Sequence, residues 1–150
     1  MPNLLIIHHT ASPPLQDLLE AVREGATNDQ IVGVSVTTKP ALSVTASDVL
    51  AADGYLLGTP VNFGYMSGAL KHAFDTFYYQ VLDATQKRPY GLWVYGNNET
   101  SGAVRSITTI AKGLGWDLVA EPLEIVAPPT DEAMDAAWEL GAVLAATLME

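Results

Sequence analysis

The chain alternates short apolar runs with amphipathic segments. Residues 4–7 are purely apolar and read as a strand buried on both faces. Leu15, Leu18, Leu19 and Val22 recur at helical spacing, with Gln16, Asp17, Glu20 and Glu24 on the opposite side. Ser12 ahead of Pro13 predicts an N-cap with proline in the first turn, and Gly25 predicts the stop. Ile31, Val32, Val34 and Val36 place a second strand over residues 31–37, interrupted at Lys39-Pro40, where the proline argues for an edge or a loop. Residues 45–52 predict a short helix capped by Thr45 or Ser47, and residues 53–59 a third strand.

A stripe of Leu70, Ala73, Phe74 and Phe77 predicts a helix from Ala69 to Tyr79 or Gln80, with Ser67 as its cap. Residues 84–88 form a polar connector to a fourth strand over 90–95. Val104, Ile107, Ile110, Ala111 and Leu114 mark the next helix, closed by Gly115. Residues 116–127 carry a fifth strand in two parts around Pro122. The last helix spans 131–149, with Met134, Trp138, Gly141, Leu144, Ala145 and Leu148 inward. Strands alternating with helices imply a parallel sheet covered on both faces, in a single domain over residues 1–150. Ligands of such sheets sit beyond the carboxyl ends of the strands. Three polar, small-residue loops fall at that edge: 10–14, 60–67 and 96–102.

The loop after the third strand is the most specialised. Gly58, Gly64 and Gly68 stand among Pro60, Phe63 and Tyr65 and the small polar residues Thr59, Asn62 and Ser67. Large aromatic surface on a loop is costly unless something covers it, and a flat, polar-edged small molecule would do so. The alternative is that Phe63 and Tyr65 pack inward and Gly64 only turns the chain.

Composition narrows the partners. A net charge of −10, with no cluster of Lys or Arg, argues against nucleic acid and against an anionic membrane surface. It permits docking to a basic protein partner, although acidic surfaces often only keep a protein soluble. The chain has no Cys, which excludes disulfides and thiolate chemistry. No signal peptide or membrane span is expected from residues 4–7, so a cytoplasmic location is the default. A Gly-x-Ser-x-Gly elbow, a Walker sequence and a Gly-x-Gly-x-x-Gly run are all missing. A phospho-receiver domain would need acidic residues after the first strand, where His8-His9 stand instead.

The run from Gly58 to Gly68, followed by Leu70-Lys71, Phe74 and Asp75, resembles the central FMN-loop signature of flavodoxin-like flavoproteins. It is most similar to their NAD(P)H:quinone oxidoreductase and NADPH-dependent FMN reductase branch. The resemblance implies an α/β, flavodoxin-like three-layer sandwich with a five-stranded parallel sheet of order 2-1-3-4-5 and non-covalent FMN. Carried over by position, it implies that Pro60, Val61, Asn62, Phe63, Gly64 and Tyr65 line the flavin ring and that Gly96, Asn97 and Asn98 meet its pyrimidine edge. His9, Thr10 and Ser12 would face the phosphate.

The phosphate loop departs from that pattern. It has no glycine, and Pro13 and Pro14 remove two N–H donors. Each lost donor to a charged group costs about 1.5–3 kcal/mol unless replaced. His8 or His9 is a candidate replacement. Adjacent histidines at a strand end point to opposite faces, so no metal site is expected there. His72 is expected on the solvent side.

The resemblance implies a redox protein: an NAD(P)H-dependent flavin or quinone reductase passing hydride through FMN N5 to a small-molecule acceptor. The alternatives are a flavodoxin-type single-electron carrier between redox proteins, or a binding module of the same fold that has lost FMN. No side chain is expected to transfer a proton, since hydride transfer needs only proximity and orientation. A homo-oligomer is left open.

Overall fold

The computed structural model describes residues 1–150. Its elements run β1 (Asn3–His8), α1 (Pro13–Ala26), β2 (Ser35–Pro40), α2 (Ala46–Ala51), β3 (Gly54–Asn62), β4 (Tyr65–Met66), α3 (Gly68–Val81), β5 (Pro89–Gly96), α4 (Ser101–Leu114), β6 (Asp117–Leu118), β7 (Leu123–Val126) and α5 (Asp131–Thr147). The sheet order is β2-β1-β3-β5, followed by β6 and β7, which both pair with β5. All these pairings are parallel. With β6 and β7 counted as one interrupted strand, this is the expected 2-1-3-4-5 order. Pro122 falls in the gap between them.

Strand alternation assigns the two faces. Leu5, Ile7, Tyr55, Leu57, Leu92 and Val94 face α2, α3 and α4, against Phe74, Phe77, Ile107 and Leu114. Leu4, Ile6, Leu56 and Trp93 face α1 and α5, against Leu18, Val22, Leu140 and Leu144. The first face holds an aromatic cluster in which Tyr55 stacks on Trp116 with ring centroids 4.0 Å apart. The Trp116 N–H is satisfied by the buried Thr85 hydroxyl at 2.9 Å. The connector after α3 is thus more than a spacer. Its Arg88 also donates to the carbonyls of Leu50 and Ala52 at the C-terminal end of α2.

Four expectations need correction. The second strand is displaced from 31–37 to Ser35–Pro40. A turn in which Ile31 N–H donates to Asn28 O, and a left-handed Gly33, use up the first valines, leaving Val32 exposed. Pro40 ends an edge strand, where its missing N–H faces no neighbouring strand. Gly25 is no helix stop. It lies inside α1, where a Cβ would collide with the Trp138 carbonyl of α5. Trp138 is itself partly exposed rather than inward, although its carbonyl meets α1 at Gly25. The third strand runs on to Asn62 and turns back as β4, so part of the expected loop is a hairpin.

Candidate functional site

The hairpin is built by its two turn residues. Asn62 pairs with Tyr65, and Phe63 and Gly64 between them have φ of 53° and 71°. Positive φ at both central positions is the two-residue turn that matches strand twist. Glycine accepts it freely, but for a bulky residue such as Phe63 it is strained. Phe63 is also fully exposed, so it does not pack inward. An aromatic held in a strained turn and buried against nothing points to a role outside the fold.

The base of the hairpin is rigid. The buried Thr59 hydroxyl accepts from Ser67 N–H at 3.0 Å and donates to Pro60 O at 2.8 Å. Ser67 caps α3 by accepting from Leu70 N–H. Gly58 lets the Trp93 indole lie where its Cβ would be, so this glycine serves packing rather than a ligand. Gly96 lets β5 approach Val61 closely.

At the carboxyl edge of the sheet these pieces enclose a cleft of about 380 Å³. Its walls are Ala11, Ser12, Pro14 and Leu15 from the start of α1, Pro60, Val61 and Asn62 from β3, and Tyr95, Gly96 and Asn97 from β5 and its loop. All three expected loops therefore contribute. Of the expected residues, Ser12, Pro60, Val61, Asn62, Gly96 and Asn97 line the cleft. His9, Thr10, Phe63, Gly64, Tyr65 and Asn98 are not among the lining residues. Tyr95 is a wall residue that the sequence reading left in its strand. The available signal was its position as the last residue of the apolar run, directly before the loop at Gly96; the structure sets it opposite Pro60.

The loop ahead of α1 is rich in free donors. The backbone N–H groups of Thr10, Ala11 and Ser12, and of Leu15 beyond the two prolines, donate to no protein acceptor. Ser12 holds the N-cap position without making a side-chain cap. Unpaired N–H groups at a helix N-terminus favour an anion. His8, rather than His9, contacts the loop: its Nδ1 lies 2.8 Å from the Thr10 hydroxyl. Burial lowers the His8 pKa, and Arg23 and His9 push it further down. His9 donates its backbone N–H to Gly58 O, while its buried Nδ1 has no partner. His72 is exposed on α3. In the loop after β5, outside the lining residues, hydrogen bonds from Ser101 and Thr100 lower the pKa of the Glu99 carboxyl.

An open parallel sheet with a cleft at the carboxyl ends of its central strands defines a protein of the flavodoxin-like class. Solved structures agree on that fold. A flavodoxin from the domain Archaea superposes with a TM-score of 0.81 at 17% identity, covering 97% of both chains. A WrbA-like flavodoxin from Agrobacterium tumefaciens gives 0.76 at 17% identity, covering 98% of this chain and 97% of that one. Flavodoxin 2 from Bacillus cereus gives 0.79 at 18% identity, covering 98% and 99%. Residues 7–122 match the model of the NADPH-dependent FMN reductase family. The chain belongs to that family. A flavodoxin from Aquifex aeolicus is 36% identical over 75 residues, a match that takes in 50% of this chain but only 40% of the relative.

FMN is the cofactor of this family, and the donor set here fits it. Free backbone N–H groups and the hydroxyls of Thr10 and Ser12 suit a phosphate. The neighbouring cleft has apolar walls in Pro60 and Val61, an aromatic one in Tyr95 and amide groups on Asn62 and Asn97.

Proposed function

We propose that this chain binds FMN in the cleft between α1, β3 and β5 and works as an NAD(P)H-dependent flavin or quinone reductase. The family match, which spans the central loop and the loop after β5, together with a cleft bounded by all three loops, carries this reading. FMN supplies the redox chemistry when bound, by exchanging hydride or single electrons at its ring. The protein binds and orients. Ser12 and the free N–H groups of residues 10–12 hold the phosphate end. Pro60, Val61 and Asn62 form one wall for the ring, and Gly96 and Asn97 meet its polar edge. Phe63, on the exposed hairpin tip, flanks the ring or the incoming substrate. No acid or base is required of the chain.

A flavodoxin-type electron carrier is the second reading. It is favoured by the net charge of −10, which would steer docking to a basic redox partner, and by the flavodoxin relatives. Loss of FMN altogether is the third, favoured by Pro13 and Pro14. Added FMN decides the third: binding gives fluorescence quenching and a rise in melting temperature, and the absence of both overturns the flavin reading. Bleaching of bound flavin by NADPH or NADH supports the reductase. A flavin bleached by dithionite but by neither nucleotide identifies the carrier.

A further inference from the structure

The contact between His8 Nδ1 and the Thr10 hydroxyl has two forms, because a hydroxyl carries one proton. If Thr10 donates to the ring, its oxygen offers the loop only lone pairs. If the ring donates from Nδ1–H, the Thr10 proton is free for an acceptor in the loop. This choice matters because the loop is short of donors. Pro13 and Pro14 carry no N–H, and beyond the backbone groups of Thr10, Ala11 and Ser12 the next donor is Leu15.

We propose that His8 is a positioning residue for the FMN phosphate: its Nδ1–H holds the Thr10 oxygen, so that the Thr10 O–H donates to the phosphate in place of a donor removed by the paired prolines. This rests on the flavin reading above. In the protein alone, burial, Arg23 of α1 and the adjacent His9 all favour the neutral ring. The strands on either side place Pro40 and Gly58 next to His8, and neither brings charge. A phosphate dianion opposes those influences and favours the imidazolium, whose Nδ1 can only donate. FMN binding therefore takes up a proton between the lowered His8 pKa of the free protein and its raised value in the complex. The part of His8's contribution that comes from the ring's charge is full below the free value and is lost as pH rises through the bound one, whereas the Nδ1–H donation survives in the neutral tautomer that carries its proton there.

The test uses FMN and riboflavin, which shares the ring but lacks the phosphate. Both are titrated into flavin-stripped wild type, Thr10→Val, His8→Phe and His8→Asn, with melting temperatures to confirm folding. Calorimetry in two buffers of different ionisation enthalpy counts protons. Thr10→Val and His8→Phe should weaken FMN about tenfold or more while changing riboflavin less than about threefold. His8→Asn donates without titrating, so it should restore most of the FMN affinity and abolish the proton uptake that wild type shows in excess of it. Equal weakening of FMN and riboflavin overturns the proposal, as does FMN affinity unchanged in Thr10→Val or proton uptake unchanged in His8→Asn. If neither flavin binds wild type, the flavin reading and the proposal both fall. FMN binding to wild type that is indifferent to His8 and Thr10 removes the proposal alone.

Discussion

The backbone carbonyl of Gly64 occupies the space that a Cβ on Gly102 would need. The tip of the β3–β4 hairpin is thereby seated on the first turn of α4, and two of the three site loops meet there backbone to backbone. Gly102→Ala should drive them apart. Alanine gains about 1 kcal/mol in a helix, but overpacking against an unyielding carbonyl costs about 1–3 kcal/mol. We expect the melting temperature to fall by a few degrees and FMN affinity to fall with it. A melting temperature at or above wild type would show that the hairpin moves freely.

Phe63 sets stability against function. Its φ of 53° is one that asparagine adopts readily, and Asn-Gly is the preferred pair for this turn. Because Phe63 is fully exposed, replacing it forfeits no burial. Phe63→Asn should therefore stabilise the apo-protein by about 1 kcal/mol in urea unfolding. The same change should weaken FMN, whereas His72→Ala on the exposed face of α3 should leave it unchanged. Equal effects at both positions would remove Phe63 from the site.

Gly25 and Gly141 lock α1 against α5. A Cβ on Gly25 meets the Trp138 carbonyl, and one on Gly141 meets the Val22 carbonyl. Either change to alanine forces two backbones apart and should cost about 1–3 kcal/mol. The contact involves the second half of α1, whereas the cleft is lined by its first residues, so the affinity of folded protein for FMN should hold. Circular dichroism melts and flavin titration of the same samples check both halves.

Asp48 links stability to pH. Burial raises its pKa, but the ammonium of Lys39 and the Thr45 backbone and hydroxyl outweigh burial and hold the carboxyl below its ordinary value. It closes a capping box with Thr45 and meets Lys39 at 2.9 Å. The folded pKa is depressed, so this contribution is present above the ordinary carboxylate value and lost as pH falls through the lowered one. Asp48→Ala should cost about 1 kcal/mol at neutral pH. The gap from wild type should close in acid. A gap that persists in acid would assign the loss to packing.

The sheet was legible because its central strands are continuous apolar runs, and fully buried strands show no polar alternation. Caps at Ser67 and Thr45 and the stop at Gly115 follow local rules that the sequence states directly. Gly25 misled because a glycine that admits a neighbouring helix looks the same as one that ends its own. The hairpin was hidden for a different reason. Asn62-Phe63-Gly64-Tyr65 lacks the usual Asn-Gly signal, since Phe63 occupies a position that turn chemistry would deny it. The His8–Thr10 contact was out of reach because spacing alone says only that neighbouring histidines diverge, not which one turns toward the loop.

The two margins of the sheet have a consequence for how the chain behaves when concentrated. On one side, β2 carries Lys39 and ends in Pro40. On the other, β6 and β7 are two and four residues long, separated by a gap that holds Pro122. A charge, a missing donor and a broken strand are the devices that stop foreign strands from adding to an edge. A chain whose inner strands each carry a buried apolar run is in this way guarded against fibrillar self-association at both edges of its sheet.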